Sequence, residues 1–182
     1  RMHRHWNARM AWANMKNNKS IYLPYLMGER TPHLNPNCRG VFFGLSAIHT
    51  KADMLRAVME GVSYSLLDCF DILREMKVNV KEMMACGGGG KSRVWRQMLA
   101  DMYGCEVKTI KAQEGPALGV AILAGVGAGI FPDVQTACKE FIEQDTWCQP
   151  DAAAHAYYEK GHALYQKLYQ KLKDCYEDLA AL

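Results

Sequence analysis

The sequence has no cysteine or histidine pattern that marks a metal site or a disulfide scaffold. Its seven cysteines are widely spaced between Cys38 and Cys175, and none of them forms a CxxC pair. Its six histidines fall in no ligand pattern such as HExxH, so no zinc site is expected. An odd number of scattered cysteines predicts reduced thiols, several of them in the core, and therefore a cytoplasmic protein.

Excess charge of one sign and long apolar runs are also lacking. The formal net charge is only +3, from 22 Lys and Arg against 19 Asp and Glu, which argues against a nucleic-acid partner. No apolar signal core lies near the start, so secretion is not expected. The longest uncharged run, Pro116 to Pro132, is too short and too rich in glycine to span a bilayer. Its GxxxG spacing at Gly125 and Gly129 predicts a buried helix packed closely against a neighbour.

What is present is an alternation of short apolar segments with amphipathic ones, which predicts one α/β domain. The predicted strands are 21–26, 41–45, 82–86, 105–110 and 146–149, and the predicted helices are 51–76, 92–103, 116–130, 133–143 and 151–179. Residues 1–19 stay unassigned, as a leader or the end of an upstream element, and residues 20–182 form the domain. Because the first residue is Arg1 rather than Met, we expect a fragment, a processed product or a trimmed chain.

Two of the predicted helices carry most of the large apolar and aromatic side chains. Helix 51–76, which Ser46 or Thr50 can cap with Asp53 in its first turn, has a wide apolar face. That face comprises Leu55, Val58, Met59, Val62, Leu66, Cys69, Phe70 and Leu73. Helix 151–179 carries tyrosines at positions 157, 158, 165, 169 and 176. We interpret them mostly as core-facing rings whose hydroxyls reach water.

The most informative stretch is a run of four glycines, Gly87–Gly90, between strand 82–86 and helix 92–103. A helix N-terminus presents unpaired N–H groups and a partial positive charge, which suits an anion or a nucleotide. Only residues without a Cβ let a flat base or a phosphate come that close to the main chain. The run therefore predicts a ligand site at the carboxyl end of a strand, where open α/β sheets bind ligands.

Two known glycine motifs fit this turn incompletely. A P-loop would end at Gly90-Lys91-Ser92, with Lys91 on the β- and γ-phosphates and Ser92 on Mg²⁺, but Ala85 stands where the first glycine belongs. Strand 105–110 also ends without the aspartate that a P-loop metal site needs. A GxGxxG dinucleotide fingerprint matches at Gly87 and Gly89 but has Ser92 in its third position. A glycine-rich turn without a ligand is the remaining alternative.

Four stretches together resemble the FGGY family of carbohydrate kinases, over about residues 20–180. Residues 40–45 and 53–60 (GVFFGL and DMLRAVME) meet every constrained position of the family's second signature. Residues 23–32 (LPYLMGERTP) with Arg39 and Gly40 look like the preceding loop in the xylulokinase branch of the family. The family's adenine-site turn and helix resemble Cys86–Gly89 with Ser92, Trp95, Gln97 and Asp101, and its next block resembles residues 113–119 (QEGPALG).

The resemblance implies an actin/hexokinase-type (ribonuclease H-like) lobe, in which helices flank a mixed sheet and the last helix is long. It implies ATP as the cofactor, with Mg²⁺ carried by the nucleotide. The cofactor-binding candidates are then Gly87, Gly88, Gly89 and Ser92. Adenine would lie against Gly88 and Gly89, and Ser92 would bond to a purine nitrogen or to the ribose. Trp95 is interpreted as a core residue and Lys91 as a solvated lysine at a helix start.

The resemblance also implies which parts of the machinery lie elsewhere. The aspartate that acts as general base, the phosphate loop and most sugar contacts belong to the family's N-terminal lobe. No catalytic and no metal-ligating residue is therefore assigned here, and the chain alone is expected to be inactive. The expected reaction of the intact enzyme is phosphoryl transfer from ATP to D-xylulose, giving D-xylulose 5-phosphate.

Other functions and assemblies stay open on the sequence. A gluconokinase-like or ribulokinase-like activity and a non-catalytic nucleotide-binding module are the alternatives to the xylulokinase activity. The expected partners of the intact enzyme are a ketopentose and its own N-terminal lobe, without nucleic acid or membrane. A homodimer is among the open oligomeric states.

Overall fold

Strands and helices alternate along the chain, as the sequence predicts. The computed structural model describes residues 20–111 and 115–182. The unassigned segment 1–19 lies outside these ranges, as do Gln113 and Glu114 of the QEGPALG block. In chain order the elements are β1 Ile21–Leu23, β2 Val41–Phe43, α1 Lys51–Glu75, β3 Glu82–Met84, α2 Gly87–Gly90, α3 Arg93–Tyr103, β4 Glu106–Ile110, α4 Gly115–Gly127, α5 Val134–Phe141, β5 Gln144–Cys148 and α6 Ala152–Ala180.

The described strands form two small sheets. In the first, β1 and β2 are antiparallel, with Tyr22 opposite Phe42. In the second, the strand order is β3-β4-β5, where β3 is parallel and β5 antiparallel to β4. This second sheet is mixed, as the sequence predicts.

Local capping signals set the starts of the long helices. Thr50, and not Ser46, is the N-cap of α1: the Asp53 N–H donates to Thr50 Oγ1 at 3.4 Å, and the Thr50 N–H donates to Asp53 Oδ2 at 2.8 Å. This reciprocal pair is a capping box, and its hydrogen bonds lower the pKa of Asp53. Asp151 caps α6 with a single hydrogen bond, by accepting the Ala154 N–H at 2.8 Å.

The core between α1, α3, β1 and α6 is rich in tyrosine. Four of the five predicted α6 tyrosines are buried, namely Tyr158, Tyr165, Tyr169 and Tyr176, whereas Tyr157 is 38% exposed. The expectation that the hydroxyls reach water is wrong for Tyr158, Tyr165 and Tyr176, whose hydroxyl oxygens are all buried. The Tyr158 Oη accepts a hydrogen bond from Arg56 Nη2 at 3.0 Å, in place of the water that burial excludes.

Polar side chains, spaced four residues apart, form the stripe of α1 that packs against α6. Arg56 Nε donates to Glu60 Oε1 at 2.7 Å, and both side chains are buried. Farther along the stripe, Asp68 Oδ1 lies 2.8 Å from His162 Nε2 of α6. Burial raises the pKa of Glu60, and the adjacent Arg56 guanidinium acts in the opposite direction. We call Arg56, Glu60, Tyr64 and Asp68 the polar seam.

Most of the apolar face predicted for this helix does not point into the core, although Phe70 belongs to the core and Met59 packs against it. Of its eight residues only Phe70 is buried, while Leu66 and Leu73 are 49% and 40% exposed. The seam explains the difference, since its charged groups find partners on the α6 side and take the inward position. The apolar face is thereby turned toward β3 and the glycine run.

The prediction that the uncharged run forms a closely packed, buried helix is also wrong. Helix α4 buries only Ile122 and Gly125, although it carries no charge. The helix ends at Gly127, so Gly129 of the GxxxG spacing lies beyond it with φ +74°. In the part of the chain that the structure describes, no helix combines the length and apolar character needed to cross a membrane.

Removing Arg56 from the polar seam should lower the stability of the protein. In Arg56→Ala the Glu60 carboxylate keeps its buried position without its ion-pair partner, so we expect a loss of about 3–5 kcal/mol in unfolding free energy. Urea unfolding followed by circular dichroism measures this loss. Lys111→Ala is the control, because it removes an ion pair with Glu143 in which both side chains are mostly exposed, and it should leave the midpoint nearly unchanged. A stability within 1 kcal/mol of wild type for Arg56→Ala would contradict the assignment.

Candidate functional site

The glycine run forms one short turn of helix, α2, between β3 and α3. Cys86 precedes it in an extended conformation and makes no side-chain capping hydrogen bond, and Gly87 has φ +72°. A positive φ of this size strains any residue with a side chain. The predicted strand-to-helix junction is confirmed, and the structure adds that the junction is helical.

The four glycines face different surroundings. A Cβ at Gly87 or Gly88 would have no atom within 4 Å, so both positions border open space. A Cβ at Gly89 would lie 3.2 Å from the Trp95 ring, and one at Gly90 only 2.6 Å from the Ala85 carbonyl oxygen. Gly90 is therefore needed for packing, whereas Gly87 and Gly88 leave room for a ligand. The placement of adenine against Gly88 and Gly89 stays a prediction.

Ser92 is the N-cap of α3 rather than a residue of its first turn. Its Oγ accepts the Trp95 N–H at 3.3 Å, which satisfies one of the helix's unpaired donors. A hydrogen bond from this side chain to a nucleotide stays a prediction. Lys91 is exposed at the end of α2, in agreement with its interpretation as a solvated lysine.

A polar cleft of about 470 Å³ opens on one side of the turn, toward the end of β4 and the start of α4. Among the described residues, three cationic side chains line it, from Lys91, Arg96 and Lys111, and one acidic side chain, from Asp145. Lys111 is also paired with Glu143. Such an excess of cations attracts an anion. We call this space the polar cleft, and its lining comprises Ala85, Cys86, Gly87, Gly90, Lys91, Arg96, Thr109, Ile110, Lys111, Gly115 and Asp145.

The first residue of α4 lies beside the turn. A Cβ at Gly115 would be 3.7 Å from Cys86 Sγ. The start of the helix therefore approaches the site, while the rest of α4 extends away as an exposed helix.

Arg96 of α3 supports the turn through a hydrogen bond to its last glycine, and it is not among the residues predicted from the sequence. Its Nη1 donates to the Gly90 carbonyl oxygen at 2.5 Å, and the side chain is buried although it reaches the polar cleft. Within residues 20–111 and 115–182 its buried Nε has no hydrogen-bond partner. No sequence signal marks this residue, because an arginine on an amphipathic helix is usually solvated.

The other α3 side chains that resemble the family's adenine-site helix have structural roles. Trp95 is partly buried, packs against the core and donates from Nε1 to Ser63 Oγ of α1 at 2.8 Å, so its interpretation as a core residue is confirmed only in part. Gln97 Nε2 donates to Asp101 Oδ1 at 2.8 Å, and the same oxygen accepts the Asp151 N–H at 2.9 Å. These contacts fix α3 against α1 and against the start of α6.

Comparisons with known proteins agree with the sequence resemblance. The model of the FGGY family of carbohydrate kinases, C-terminal domain, matches residues 5–128. The chain is 40% identical over 172 residues to a xylulose kinase of Staphylococcus epidermidis, covering 94% of this chain and 35% of the relative.

Solved structures give the same result for the fold. A xylulose kinase from Lactobacillus acidophilus superposes with a TM-score of 0.81 at 32% identity, covering 95% of this chain and 35% of that one. A gluconate kinase from the same organism gives a TM-score of 0.82 at 32% identity, with the same coverage. The predicted actin/hexokinase-type fold is thereby confirmed. The chain spans about a third of the length of the relatives it matches.

The support that Arg96 gives to the turn can be tested with Arg96→Met, which keeps most of the side-chain stem but removes the donor to Gly90. Leaving this carbonyl unpaired should lower the unfolding free energy by about 1–3 kcal/mol. Amide hydrogen exchange across Gly87–Lys91 should become faster. Arg93→Met, at an exposed position of the same helix, is the matched control and should change neither quantity. Unchanged exchange in Arg96→Met would contradict this role.

Proposed function

The chain belongs to the FGGY family of carbohydrate kinases, and we propose that it is the nucleotide-binding, C-terminal lobe of a xylulose kinase. The intact enzyme transfers the γ-phosphoryl group of ATP to a hydroxyl of D-xylulose, and the products are ADP and D-xylulose 5-phosphate. The observation that carries this proposal is the 40% identity to a xylulose kinase over 94% of the chain.

The nucleotide lies at the glycine turn and extends into the polar cleft. Gly87 and Gly88 offer bare backbone with open space beside it. The cleft next to them is lined by Lys91, Arg96 and Lys111, whose charges favour the phosphates. Gly89 and Ser92 complete the proposed contact set on the α3 side of the turn, where the adenine and ribose bind.

Mg²⁺ arrives with the nucleotide in this proposal. Among the residues that the structure describes, no group of three or more His, Cys, Asp or Glu side chains is arranged to hold a metal ion. ATP supplies the phosphoryl group, and the magnesium ion neutralises charge on its phosphates. The lobe described here orients the nucleotide and contributes positive charge from the cleft.

The general base, which takes the proton from the sugar hydroxyl, is an aspartate of the N-terminal lobe in this proposal. Phosphoryl transfer depends on holding donor and acceptor in line and on neutralising charge from both sides. A lobe that holds only the nucleotide therefore gives no measurable turnover by itself. The seven free thiols fit a reducing compartment, so we place the enzyme in the cytoplasm.

A gluconate kinase activity is the second candidate. The gluconate kinase from Lactobacillus acidophilus matches this chain as well as the xylulose kinase does, at 32% identity for each. The sugar contacts lie mainly in the other lobe in our proposal, so this lobe does not decide between the two substrates.

Nucleotide binding is tested by titrating ADP into the chain by calorimetry. Gly88→Val fills the open space beside the turn without meeting a protein atom, and we expect it to weaken ADP binding at least about tenfold. Gly127→Val is the matched control, because its Cβ also meets no atom within 4 Å. It lies twelve residues along α4 from Gly115, or about 18 Å away, and should bind ADP like wild type.

A further variant distinguishes the proposed adenine site at the turn from a P-loop. Lys91 is exposed, so water and salt screen its charge, and Lys91→Ala should change the dissociation constant by no more than about threefold. In a P-loop, the same substitution would abolish binding. A folded wild-type chain that binds no ADP, or a Gly88→Val variant that binds normally, would contradict the proposed site.

The substrate is tested on the whole enzyme with coupled ADP release. We expect kcat/KM for D-xylulose to exceed that for gluconate and for glycerol by at least about a hundredfold. The isolated chain should show no turnover with any of them. A preference for gluconate would replace the xylulose kinase assignment by the second candidate, without affecting the nucleotide site.

A further inference from the structure

Cys86 places a thiol directly beside the glycine turn. It is the residue before Gly87, and it is part of the lining of the polar cleft. Of the seven cysteines, all of them within the described residues, Cys86 and Cys175 are exposed, and the others are buried or partly buried. The proposed phosphoryl transfer uses no thiol, so the nucleotide site does not account for Cys86.

The surroundings of Cys86 leave its sulfur accessible from the cleft. Its side chain makes no capping hydrogen bond to α2, although Cys86 is the N-cap residue. Gly87 follows it, and a Cβ on Gly115 would lie only 3.7 Å from its Sγ. Both of these neighbours lack a side chain, so neither of them covers the sulfur. A reagent that enters the cleft therefore reaches Cys86.

The cleft around this thiol favours a reagent with negative charge. Lys111 pairs with Glu143, and the Asp145 carboxylate offsets part of the remaining charge. Among the described residues of the lining, the excess of positive charge then comes from Lys91 and Arg96. Cations that line a concave surface raise the local concentration of small anions. Because Lys91 is exposed, salt screens its part of this attraction.

Arg96 adds a buried donor that lacks an acceptor. The residue is 9% exposed, and its Nη1 is already bonded to the Gly90 carbonyl oxygen. Its Nε, by contrast, is buried without a hydrogen-bond partner in the part of the chain that the structure describes. An unpaired guanidinium donor is costly to bury, and a carboxylate is a strong acceptor for it. The Cys86 thiol and this donor line one cleft, which suits a reagent that carries both a reactive sulfur and carboxylates.

We propose that Cys86 is a modification site for a small anionic disulfide, and that the resulting mixed disulfide closes the nucleotide site. The Cys86 thiol releases its proton, and the thiolate attacks one sulfur of the disulfide. An S–S bond forms at Cys86 while the S–S bond of the reagent breaks, and the departing half leaves as a thiolate that takes up the proton. Cys86 is oxidised and the departing half is reduced, so no further oxidant is needed. Excess thiol reverses the step.

The group attached at Cys86 occupies the polar cleft beside Gly87 and Gly88, into which the proposed nucleotide extends. Its carboxylates take the cations that would favour the phosphates. Modification and nucleotide binding then exclude each other, and oxidising conditions inactivate the kinase reversibly. This consequence rests on the proposed function, whereas the selective modification of Cys86 does not.

Selectivity is measured with oxidised glutathione, which carries more carboxylate than ammonium groups, and with the uncharged disulfide of mercaptoethanol. Each is added to the 182-residue chain at low ionic strength, and peptide mass spectrometry gives the rate of modification at every cysteine. Cys175 is the matched reference, because it is exposed on α6 and has Lys171 and Asp178 one turn to either side, so the charges around it balance.

We expect the ratio of the Cys86 rate to the Cys175 rate to be at least about threefold higher with oxidised glutathione than with the uncharged disulfide. Added salt should remove this difference, since it screens the cations of the cleft. An equal ratio for the two reagents would overturn the proposal.

The effect on the nucleotide site is measured by calorimetry with ADP. Glutathione attached at Cys86 should raise the dissociation constant at least about tenfold, and dithiothreitol should restore the initial value. Saturating ADP should slow the modification of Cys86 but not that of Cys175. In Cys86→Ser, treatment with oxidised glutathione should leave the ADP affinity of that variant as it was before treatment, whereas Cys175→Ser should lose affinity on treatment as the wild type does.

The possible results separate this inference from the proposed function. A mixed disulfide at Cys86 that leaves the ADP affinity unchanged would overturn the inference and leave the nucleotide site intact. Loss of affinity on treatment of Cys86→Ser would place the sensitive thiol elsewhere and would overturn it too. An unmodified chain that binds no ADP would overturn the proposed nucleotide site and with it the closing effect, and mass spectrometry would still decide whether Cys86 is modified selectively.

Discussion

The buried ion pair between Arg56 and Glu60 decides which side of α1 faces the core. Two charges removed from water must be satisfied by each other and by neighbouring polar groups, and Tyr158 of α6 supplies such a group. The ion pair therefore fixes the orientation of α1 about its long axis. The polar seam takes the inward position, and the apolar side chains of the helix are left to line an open apolar groove between α1, β3 and α3, beside the glycine turn. The surface beside the glycine turn is therefore set by electrostatics in the core.

Much of the fold follows from local signals. Helix α1 was expected over 51–76 and spans Lys51–Glu75, because Thr50 and Asp53 form a capping box that needs no tertiary partner. The orientation of α1 and the exposure of α4 do not follow from such signals. Counting apolar positions identifies an apolar face, but it does not reveal whether the packing partner of that face lies among the same residues. For both helices the described residues leave the apolar surface open.

Some features of the candidate site also follow from the sequence, and others are visible only in the structure. The position of the turn follows from four consecutive glycines, since few other sequences allow such close approach to the backbone. Which glycines border open space and which serve packing depends on where the Trp95 ring and the Ala85 carbonyl lie in three dimensions, and no motif specifies those positions. Arg96 contributes charge and support from a helix position where the sequence suggests only solvent. The division of the region into a cationic cleft and an apolar groove is likewise a tertiary property.

Trp95 joins these two sides of the turn. Its ring lies against Gly89, and its Nε1 donates to Ser63 in the centre of α1. An indole held between a ligand-binding turn and a core helix is an intrinsic optical probe, because its emission depends on the polarity and rigidity around the ring. Trp147 on β5 is 65% exposed, and the sequence has two further tryptophans, Trp6 and Trp12. With these three replaced by phenylalanine, Trp95 would be a fluorescent reporter of events at the glycine turn, with no dye attached.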